Sequence, residues 1–438
     1  MIKCFITNYK KNEYFKSYEL KKQYINENKK SLISIDYNET KQTLVGFGGA
    51  FTESSAVVFN QSSKSIQDEI LKLYFDKEEG LGYELGRIAI GSCDFSLDNY
   101  MYINDGDFTL DYFSIERDEK LTIPFVLNAM KYSKNLKMAL APWSPPKHLK
   151  TNNNLNNGGK LKEEYYDFYC EYIIKFIKEL IKKGINIEYL SLQNEPEANQ
   201  TWDSCLYTPE EMIKLVKVMY PKLINNNLDI KILILDHNRD ILVKWAKAVS
   251  VDKEALNMIW GLAIHWYVSE DFNQLSLAKK LVPNLNILFT EGCIEGGPRP
   301  YEVYTGERYA RNIIGDLNNG CVGYIDWNLI LNEQGGPNHK NNYCDAPMLL
   351  KNDGSLIINS SYYYIGHFAK FLKNGSKIVK SSINNSYLQV LAAISSKNEK
   401  ILIICNPNDE DISYEFNNEN ELITYYIEAH TIQTLVLK

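Results

Sequence analysis

Two glutamates follow apolar, strand-like segments, and their placement is suited to chemistry. Residues 187–196, IEYLSLQNEP, run as a buried strand and place Glu195 just before a proline, while residues 286–292, NILFTEG, carry Glu291 near their end. Two carboxyl groups in one pocket can cleave a glycosidic bond. One donates a proton to the leaving oxygen and the other acts, ionised, on the anomeric carbon. Either glutamate alone could be a solvated strand end, so the hypothesis depends on the pair.

Neighbouring residues favour a functional role for both glutamates. Asn194 precedes Glu195 and, by the alternation of a strand, is directed to another side of the rim, where it could bind a sugar hydroxyl. Pro196 lacks a backbone N–H and ends the strand. Arg87, on an earlier strand, is a candidate to pair with Glu291 and keep it ionised, because an opposite charge favours the charged form. A structural ion pair is the alternative for Arg87, and the two roles are compatible.

Aromatic residues stand at three further strand ends. Trp143 lies in APWSPP, Trp266 and Tyr267 lie in AIHWY, and Trp327 lies in DWN. An aromatic side chain offers a broad apolar face and a polar edge, which suits a sugar ring. One such ring is more often part of a core, but three clusters at strand ends favour a ligand pocket.

The elements that must position these residues alternate along the chain. Between about residue 44 and residue 330, short apolar segments alternate with longer helical ones, such as the amphipathic run from Glu163 to Lys183 that stops at Gly184. This alternation is typical of βα units around a parallel sheet. Eight strands are predicted, at residues 45–53, 85–91, 137–145, 187–196, 230–238, 260–267, 286–292 and 323–330. They predict an α/β fold, a closed (β/α)₈ TIM barrel, in which the chemistry lies at the C-terminal ends of the strands.

The pattern changes to alternating strands near the C-terminus. The segments YLQVLAAIS (387–395) and KILIICNP (400–407) are typical of an antiparallel sheet, and SLISIDYNETKQTL (31–44) has the same character. We therefore predict three parts of the chain. They are an N-terminal arm that joins the side sheet (1–44), the catalytic barrel (45–372) and a small antiparallel β-sandwich side domain (373–438).

Charge and motifs exclude several classes of function. The formal net charge is -7 and no run of lysine or arginine forms a basic patch, so nucleic acid is not an expected partner. The six histidines show no H-E-x-x-H or similar spacing, so no metal is expected. The glycines of GFGGA (46–50) lack the lysine of a phosphate loop and are interpreted as close packing of the first strand. No cofactor is expected.

Cysteine spacing and hydropathy suggest an intracellular setting. The eight cysteines are widely spaced and form no C-x-x-C pair, so most are interpreted as reduced thiols. The first residues lack the apolar run of a secretory signal, and no window approaches the roughly 20 apolar residues of an integral membrane segment. We expect a soluble, cytoplasmic protein, or a secreted one if a signal peptide had been removed.

Seven motifs, in order along the chain, strongly resemble the family 30 glycoside hydrolases, in particular their glucosylceramidase branch. They are GFGGAFTESSA (46–56), GSCDFSLDNYMY (91–102), APWSPPKHLKTN (141–152), SLQNEP (191–196), AIHWY (263–267), TEGC (290–293) and DWNLILNEQGGPN (326–338). The resemblance extends from about residue 44 to residue 375. The C-terminal strands are compatible with the family's side domain but carry no such motif. The resemblance implies a (β/α)₈ enzyme that hydrolyses β-glucosides with retention of configuration.

The resemblance also implies roles for individual residues. Glu195 matches the family's acid/base and Glu291 its nucleophile. Asn194 matches the neighbour that contacts the sugar 2-hydroxyl, and Tyr267 looks like the residue that hydrogen-bonds the nucleophile. The further substrate-binding residues that it implies are Trp143, His265, Trp327 and Asn338.

One position departs from the family pattern. Where lysosomal-type members have Thr-Asp after the GFGGA turn, this chain has Thr52 and Glu53. We expect Glu53 to remain a substrate-binding carboxylate. Because its side chain is one methylene longer, it should reach further towards the outer sugar hydroxyls and alter the selectivity for glucose.

The leading hypothesis is a retaining β-glucosidase acting on glucosylceramide-like or other glucosides. Retention requires the two carboxyl groups to lie about 5–5.5 Å apart, whereas inversion requires about 6.5–9.5 Å. The pKa of Glu195 is expected to be raised, because the charge of Glu291 disfavours a second negative charge nearby. Within the family the alternatives are enzymes specific for β-1,6-glucan, β-xyloside or β-fucoside. The alternative from another class is a catalytically inactive carbohydrate-binding protein.

Overall fold

The structure is a computed structural model that describes residues 2–20, 30–418 and 421–437. Residues 21–29 of the predicted N-terminal arm, and positions 1, 419, 420 and 438, lie outside the described residues. The chain forms two compact units. One comprises Met1–Phe47, Arg299–Gly323 and Ile357–Lys438, and the other comprises Gly48–Pro298 and Tyr324–Leu356. The predicted domain limits at residues 44 and 372 stay predictions.

Eight parallel strands close into a barrel in which each strand pairs with the next along the chain, so the predicted fold class is confirmed. Each observed strand overlaps the segment predicted for it. In chain order they are β1 (Gly46–Ala50), β2 (Leu85–Ile90), β3 (Lys137–Pro142), β4 (Ile187–Ser191), β5 (Lys231–Asn238), β6 (Ile259–His265), β7 (Asn286–Glu291) and β8 (Cys321–Asn328).

The barrel strands are largely buried on both faces, as expected of parallel strands covered by helices. Every residue of β8 is buried, and every residue of β5 after Lys231 is buried. Gly48 approaches β2 so closely that a Cβ atom there would lie 1.9 Å from the carbonyl oxygen of Leu85. The glycine-rich motif therefore serves the packing of β1 against β2.

Helices of the described residues cover the strands, and local signals fix their ends. The helix Tyr166–Lys182 stops before Gly184, which adopts a φ of +85° as a helix-terminating glycine does. Thr208 caps the helix Pro209–Asn225 through a capping box. The remaining α-helices are Glu53–Gln61, Lys64–Phe75, Glu116–Lys120, Thr122–Tyr132, Leu242–Ser250, Lys253–Met258, Asn273–Leu281, Val303–Asn318 and Ser360–Ala369. Across the described part of the chain, no helix combines the length and the apolar character needed to cross a membrane.

Nine strands of the described residues form the side sheet, and the N-terminal segment joins it as predicted. In sheet order they are Glu421–Ile427, Ile412–Asn418, Lys30–Thr43, Lys377–Ile383, Gln389–Ile394, Lys400–Asn406, Thr431–Leu437, Ile2–Asn8 and Glu13–Glu19. The pairs are antiparallel except for Lys30–Thr43 with Ile412–Asn418, which is parallel. Tyr18 and Tyr425, from opposite ends of this order, share a hydrogen bond of 3.2 Å. The sheet therefore folds over onto itself and encloses its own apolar core, as a sandwich does.

Candidate active site

A cavity of about 400 Å³ opens at the C-terminal ends of the barrel strands, and both predicted glutamates line it. Such a cavity at this end of a (β/α)₈ barrel is the expected place for catalysis. Its lining combines aromatic rings, carboxyl groups, amides and thiols. The lining residues are Asp94, Phe95, Trp143, Asn194, Glu195, Glu197, Ala198, Gln200, Trp202, His237, Asn238, Tyr267, Val268, Glu291, Cys293, Glu295, Trp327, Asn342 and Cys344.

Glu195 is held by its neighbours and not by its own strand. Strand β4 ends at Ser191, and the chain then crosses the rim of the barrel. The backbone N–H of Asn194 donates to the carbonyl of Pro142 at 2.8 Å, and that of Glu195 donates to the carbonyl of Asp236 at 2.9 Å. Glu195 has a φ of +46°. This conformation costs a non-glycine residue about 1–3 kcal/mol and is concentrated at functional sites.

Glu291 is the last residue of β7, and each of its carboxylate oxygens accepts a hydrogen bond. Arg87 Nη1 donates to Oε2 at 2.5 Å, and the hydroxyl of Tyr267 donates to Oε1 at 2.9 Å. Arg87 is 1% exposed and Glu291 is 6% exposed. Arg87 and Tyr267 thus lie where the sequence analysis expected them. This arrangement suits an ionised, well-oriented carboxylate.

The two glutamates lie close enough to act on one atom. A carboxylate oxygen of Glu195 and one of Glu291 lie within 4.8 Å of each other. Inverting glycosidases hold their carboxyl groups about 6.5–9.5 Å apart to accommodate a water molecule, whereas retaining enzymes hold them about 5–5.5 Å apart. The observed spacing favours the retaining geometry.

Asp236 connects the residues that hold Glu291 with those that hold Glu195. Its Oδ2 accepts from Arg87 Nη2 at 2.8 Å, and its Oδ1 lies 3.0 Å from His265 Nε2 and accepts from the hydroxyl of Thr290 at 2.6 Å. His265 in turn places its Nδ1 3.1 Å from Glu195 Oε1. The register of β5 shifts next to Asp236, which has a φ of +47°. This bulge re-aims the Asp236 side chain into the network.

The network sets the protonation states of the buried groups. Burial alone would lower the pKa of His265, but the charge of Glu291 and the hydrogen bonds to Asp236 and Glu195 raise it to about 9. Burial alone would raise the pKa of Asp236, but the charge of Arg87 and the hydrogen bond from His265 hold it well below its usual range. His265 is therefore a cation at neutral pH, and it donates a hydrogen bond to each carboxylate.

The protonation of Glu195 corrects the sequence-based expectation. Burial raises the pKa of Glu195, but the hydrogen bond and the charge of His265 outweigh burial, so the net shift is downward. Burial raises the pKa of Glu291, and the charges of His265 and Arg87 oppose that rise without cancelling it. The expected raised pKa of Glu195 is thus wrong for the unliganded site, because the expectation did not include a cation beside it.

Two tryptophans form an aromatic surface in the pocket. The rings of Trp143 and Trp327 are stacked, with centroids 5.4 Å apart and planes inclined by 26°. The guanidinium carbon of Arg87 lies 4.8 Å from the centroid of Trp143, within the range of a cation–π contact. Trp266 does not line the pocket; it is 1% exposed, packs on Phe289 and belongs to the core.

The structure places Glu53 away from the pocket lining. Glu53 stands in the first turn of the helix Glu53–Gln61, whose N-cap is Thr52. Its carboxylate accepts from Arg117 at 2.7 and 3.0 Å and from the backbone of Leu97 at 3.0 Å. This partly buried ion pair and the hydrogen bond from Leu97 tie the helix Glu53–Gln61 to the loop after β2. The expected contact of Glu53 with sugar hydroxyls stays a prediction.

Asn338 and His265 contact other residues of the pocket and hold them in place. The side-chain oxygen of Asn338 accepts from the backbone of Lys340 at 3.0 Å and of Asn342 at 3.1 Å. Asn338 is not among the lining residues, but the turn that it stabilises presents Asn342 to the pocket. His265 has no exposed surface and touches Glu195 from behind. Both residues thus support other groups of the pocket, and their expected contact with the substrate stays a prediction.

Sequence analysis missed several polar residues of the pocket, among them Asp94 and Asn342. Asp94 lies in the loop after β2 and accepts a hydrogen bond of 2.8 Å from the side-chain amide of Asn342. Burial and the charge of Glu291 raise the pKa of Asp94 to about 8. Asp94 is thus a neutral hydrogen-bond donor at neutral pH. Its position just after a barrel strand was the available signal.

The pocket chemistry is unfavourable for a metal ion. One ligand atom from each of Glu195, His265 and Glu291 falls within a 4.8 Å cluster. A metal-binding histidine must be neutral, because the ligand is the nitrogen lone pair. The raised pKa of His265 and the direct ion pair between Arg87 and Glu291 both oppose a bound cation.

Known proteins are similar to this chain over both its barrel and its side sheet. The sequence model described as "Glycosyl hydrolase family 30 TIM-barrel domain" matches residues 44–372, and the one described as "Glycosyl hydrolase family 30 beta sandwich domain" matches residues 375–435. The crystal structure of SrfJ from Salmonella typhimurium superposes with a TM-score of 0.94, at 34% identity, and covers 100% of both chains.

Two relatives of this chain have names that state different substrates. Lysosomal acid glucosylceramidase of Mus musculus is 32% identical over 87% of this chain and 78% of its own length. Endo-1,6-beta-D-glucanase neg1 of Aspergillus fumigatus is 27% identical over 85% of this chain and 80% of its own length. The likeness therefore extends over more than four fifths of this chain in both cases.

Proposed function

Because the chain belongs to glycosyl hydrolase family 30 and is a glycoside hydrolase, we propose that it is a retaining β-glucosidase of the glucosylceramidase type. The observation that supports this most directly is the spacing of Glu195 and Glu291 within 4.8 Å, each with its own hydrogen-bond partners. In this proposal the protein acts in carbohydrate or sphingolipid metabolism by hydrolysing O-glycosyl bonds.

In the first step Glu291 attacks the anomeric carbon and Glu195 donates a proton to the leaving oxygen. Arg87 and Tyr267 hold Glu291 as an oriented carboxylate. The sugar lies against Trp143, beside the amide of Asn194, which accepts from Arg87 at 2.8 Å through its side-chain oxygen. The aglycone departs, and a covalent glycosyl ester of Glu291 remains.

In the second step Glu195 accepts a proton from water, the water oxygen attacks the anomeric carbon, and the ester bond to Glu291 breaks. Two inversions at one carbon give net retention. His265 donates to Oε1 of Glu195, which leaves the other carboxyl oxygen to carry the transferred proton. Sugar binding excludes water from the pocket, and this favours the neutral, proton-carrying form of a buried carboxyl group.

The stereochemistry of the product tests the mechanism. Hydrolysis of an aryl β-glucoside, followed by proton NMR at early times, should show β-glucose first and α-glucose only later through mutarotation. Immediate appearance of α-glucose would exclude the double displacement. Binding of the glucoside without any turnover would instead support the inactive carbohydrate-binding protein.

β-1,6-Glucan is the second candidate substrate, and the similarity to the fungal endo-1,6-glucanase favours it. The aglycone must leave beside Glu195, where Ala198, Gln200 and Trp202 line the cavity. A panel of glucosylceramide, β-1,6-gluco-oligosaccharides and aryl β-glucoside, β-xyloside, β-fucoside and β-galactoside should be compared by kcat/KM. We expect a higher kcat/KM for the aryl β-glucoside than for the aryl β-xyloside, β-fucoside and β-galactoside. The comparison of glucosylceramide with β-1,6-gluco-oligosaccharides then decides between the two candidate substrates.

A further inference from the structure

Two thiols share one wall of the catalytic pocket. Cys293 comes two residues after Glu291, and Cys344 belongs to the loop that follows β8. Each is a free cysteine, 3% exposed, and each lines the same cavity. The side chain of Cys344 is the largest cause that raises the pKa of Cys293. The mechanism proposed above uses neither of them.

The backbone keeps these two thiols together. Glu295 and Cys344 form an antiparallel β-bridge, and the backbone N–H of Asp345 donates to the carbonyl of Ile294 at 2.8 Å. The N–H of Cys344 donates to the carbonyl of Gly335 at 3.2 Å. The segments that carry the thiols therefore run side by side. Both lie in loops at the rim, where a small shift does not disturb the barrel strands.

We propose that Cys293 and Cys344 form a modification site at which a peroxide oxidises the two thiols to a disulfide. One sulfur attacks the peroxide, the O–O bond breaks, and a sulfenic acid and one water are formed when the oxidant is hydrogen peroxide. The second thiol then displaces the sulfenic oxygen as another water, and the S–S bond forms. The two thiols lose two electrons and two protons, and one hydrogen peroxide is reduced to two waters.

This modification would reach the nucleophile through one intervening residue. The sulfur of Cys293 lies 3.6 Å from the hydroxyl of Tyr267, and that hydroxyl donates to Glu291 at 2.9 Å. A disulfide requires a sulfur–sulfur distance of about 2.05 Å, whereas Cys293 and Cys344 are separate, free thiols in this structure. Forming the bond must therefore draw the Cys293 sulfur towards Cys344 and change the support of Tyr267.

The environment of Cys293 makes the site selective and slow to react. The neighbouring Cys344 side chain and burial hold the pKa of Cys293 well above its usual range. A buried, protonated thiol is a poor nucleophile, so bulky alkylating reagents should be ineffective. Hydrogen peroxide is small enough to enter the pocket, and the neighbouring thiol captures the first oxidation product before further oxidation.

The test uses the full chain and hydrogen peroxide as the probe. After treatment, the protein is unfolded in denaturant, free thiols are blocked with iodoacetamide, and the digest is mapped by mass spectrometry without reduction. We expect a peptide pair linked through Cys293 and Cys344. Glycosidase activity should fall on the order of 10- to 100-fold, as for a small misplacement of catalytic groups, and dithiothreitol should restore it. The activity measurement rests on the proposed function, whereas the linked peptide does not.

Variants provide matched controls for the peptide map. Cys344→Ala should yield no linked peptide, whereas Cys170→Ala, at a buried cysteine of the helix Tyr166–Lys182, should yield the same linked peptide as the unmodified sequence. The map of the unmodified sequence needs no variant, so the test does not depend on either variant folding. Oxidation of other thiols without a linkage between Cys293 and Cys344 would overturn the proposal. If the Cys293–Cys344 disulfide forms and an active enzyme keeps its turnover, the proposed effect of the disulfide on Glu291 is overturned.

Discussion

The two sides of the pocket hold their glutamates in different ways. Glu291 is the final residue of a regular strand, and its charged partner is Arg87, which stays protonated throughout the accessible pH range. Glu195 lies four residues beyond the end of β4, with a positive φ, and its charged partner is His265, whose pKa is about 9. The nucleophile side thus has a permanent charge, and the acid/base side has a titratable one.

This difference corresponds to the different tasks of the two groups. A nucleophile must stay ionised until it attacks, so a permanent cation is the suitable partner. An acid/base must gain and lose a proton in each cycle, so a partner that can itself exchange a proton is suitable. Asp236 joins the two sides, because it contacts both Arg87 and His265. Substitutions on each side should therefore give distinct signatures.

The largest expected effect is that of Glu291→Gln. The amide keeps the size of the side chain but cannot form the glycosyl ester, so kcat/KM should fall on the order of 10⁴- to 10⁶-fold. The loss should be similar for aryl glucosides with good and with poor leaving groups. Steady-state kinetics on both substrates measures it, and circular dichroism checks that the variant is folded. Near-normal turnover would remove Glu291 from the mechanism.

Glu195→Gln should have a smaller and substrate-dependent effect. With a poor leaving group, loss of the proton donor should lower kcat about 10²- to 10⁴-fold. An activated aryl glucoside needs no proton to depart, so its first step should be nearly unaffected. Single-turnover kinetics with both substrates separates the two cases, and Glu291→Gln is the control that loses both. An equal loss on both substrates would contradict the acid/base role of Glu195.

The smallest of these effects concerns stability against pH. The pKa of His265 is raised to about 9 in the folded protein, above its ordinary value of about 6.5. Its charge therefore stabilises the fold fully below about pH 6.5, and this contribution is lost as the pH rises towards 9, at a cost of a few kcal/mol. Denaturant unfolding across this window should show a smaller decline for His265→Gln than for the unmodified sequence.

His367 offers a matched control with the opposite sign. It is fully buried between the hydroxyls of Thr7 and Thr434, and burial lowers its pKa to about 3. In the unfolded chain His367 takes up a proton below about pH 6.5, whereas in the folded protein it stays neutral. The free energy of unfolding therefore decreases as the pH falls below about 6.5. His367→Gln should flatten the acidic side of the stability profile and leave the window from 6.5 to 9 unchanged. Identical profiles for the two variants would contradict the charge assigned to His265.

Strand periodicity predicted much of the barrel and of the pocket. Once eight βα units are recognised, residues at the C-terminal strand ends must meet at one rim. This located Glu195, Glu291 and two of the three tryptophans that line the pocket, Trp143 and Trp327. Arg87 lies within β2 and faces the barrel interior, where a charged residue needs a partner. These placements follow from alternation and topology, which are local properties of the sequence.

Other features depend on contacts between distant segments. Glu53 looks like any carboxylate after a strand, and nothing in its motif shows that it pairs with Arg117, which lies 64 residues further along the chain. The charge of His265 requires Asp236, Glu195 and Glu291 from three different strands or loops. The lowered pKa of Glu195 follows from that charge. No single motif contains these partners, so sequence reasoning assigned Glu195 the opposite shift.

The backbone of Glu195 has a consequence for how this protein would change under selection. A residue with a side chain is strained at a φ of +46°, whereas glycine adopts that angle readily. Heat resistance and turnover should therefore pull position 195 in opposite directions. A library enriched only for survival at high temperature should drift towards glycine there, and one enriched for glucoside cleavage should not.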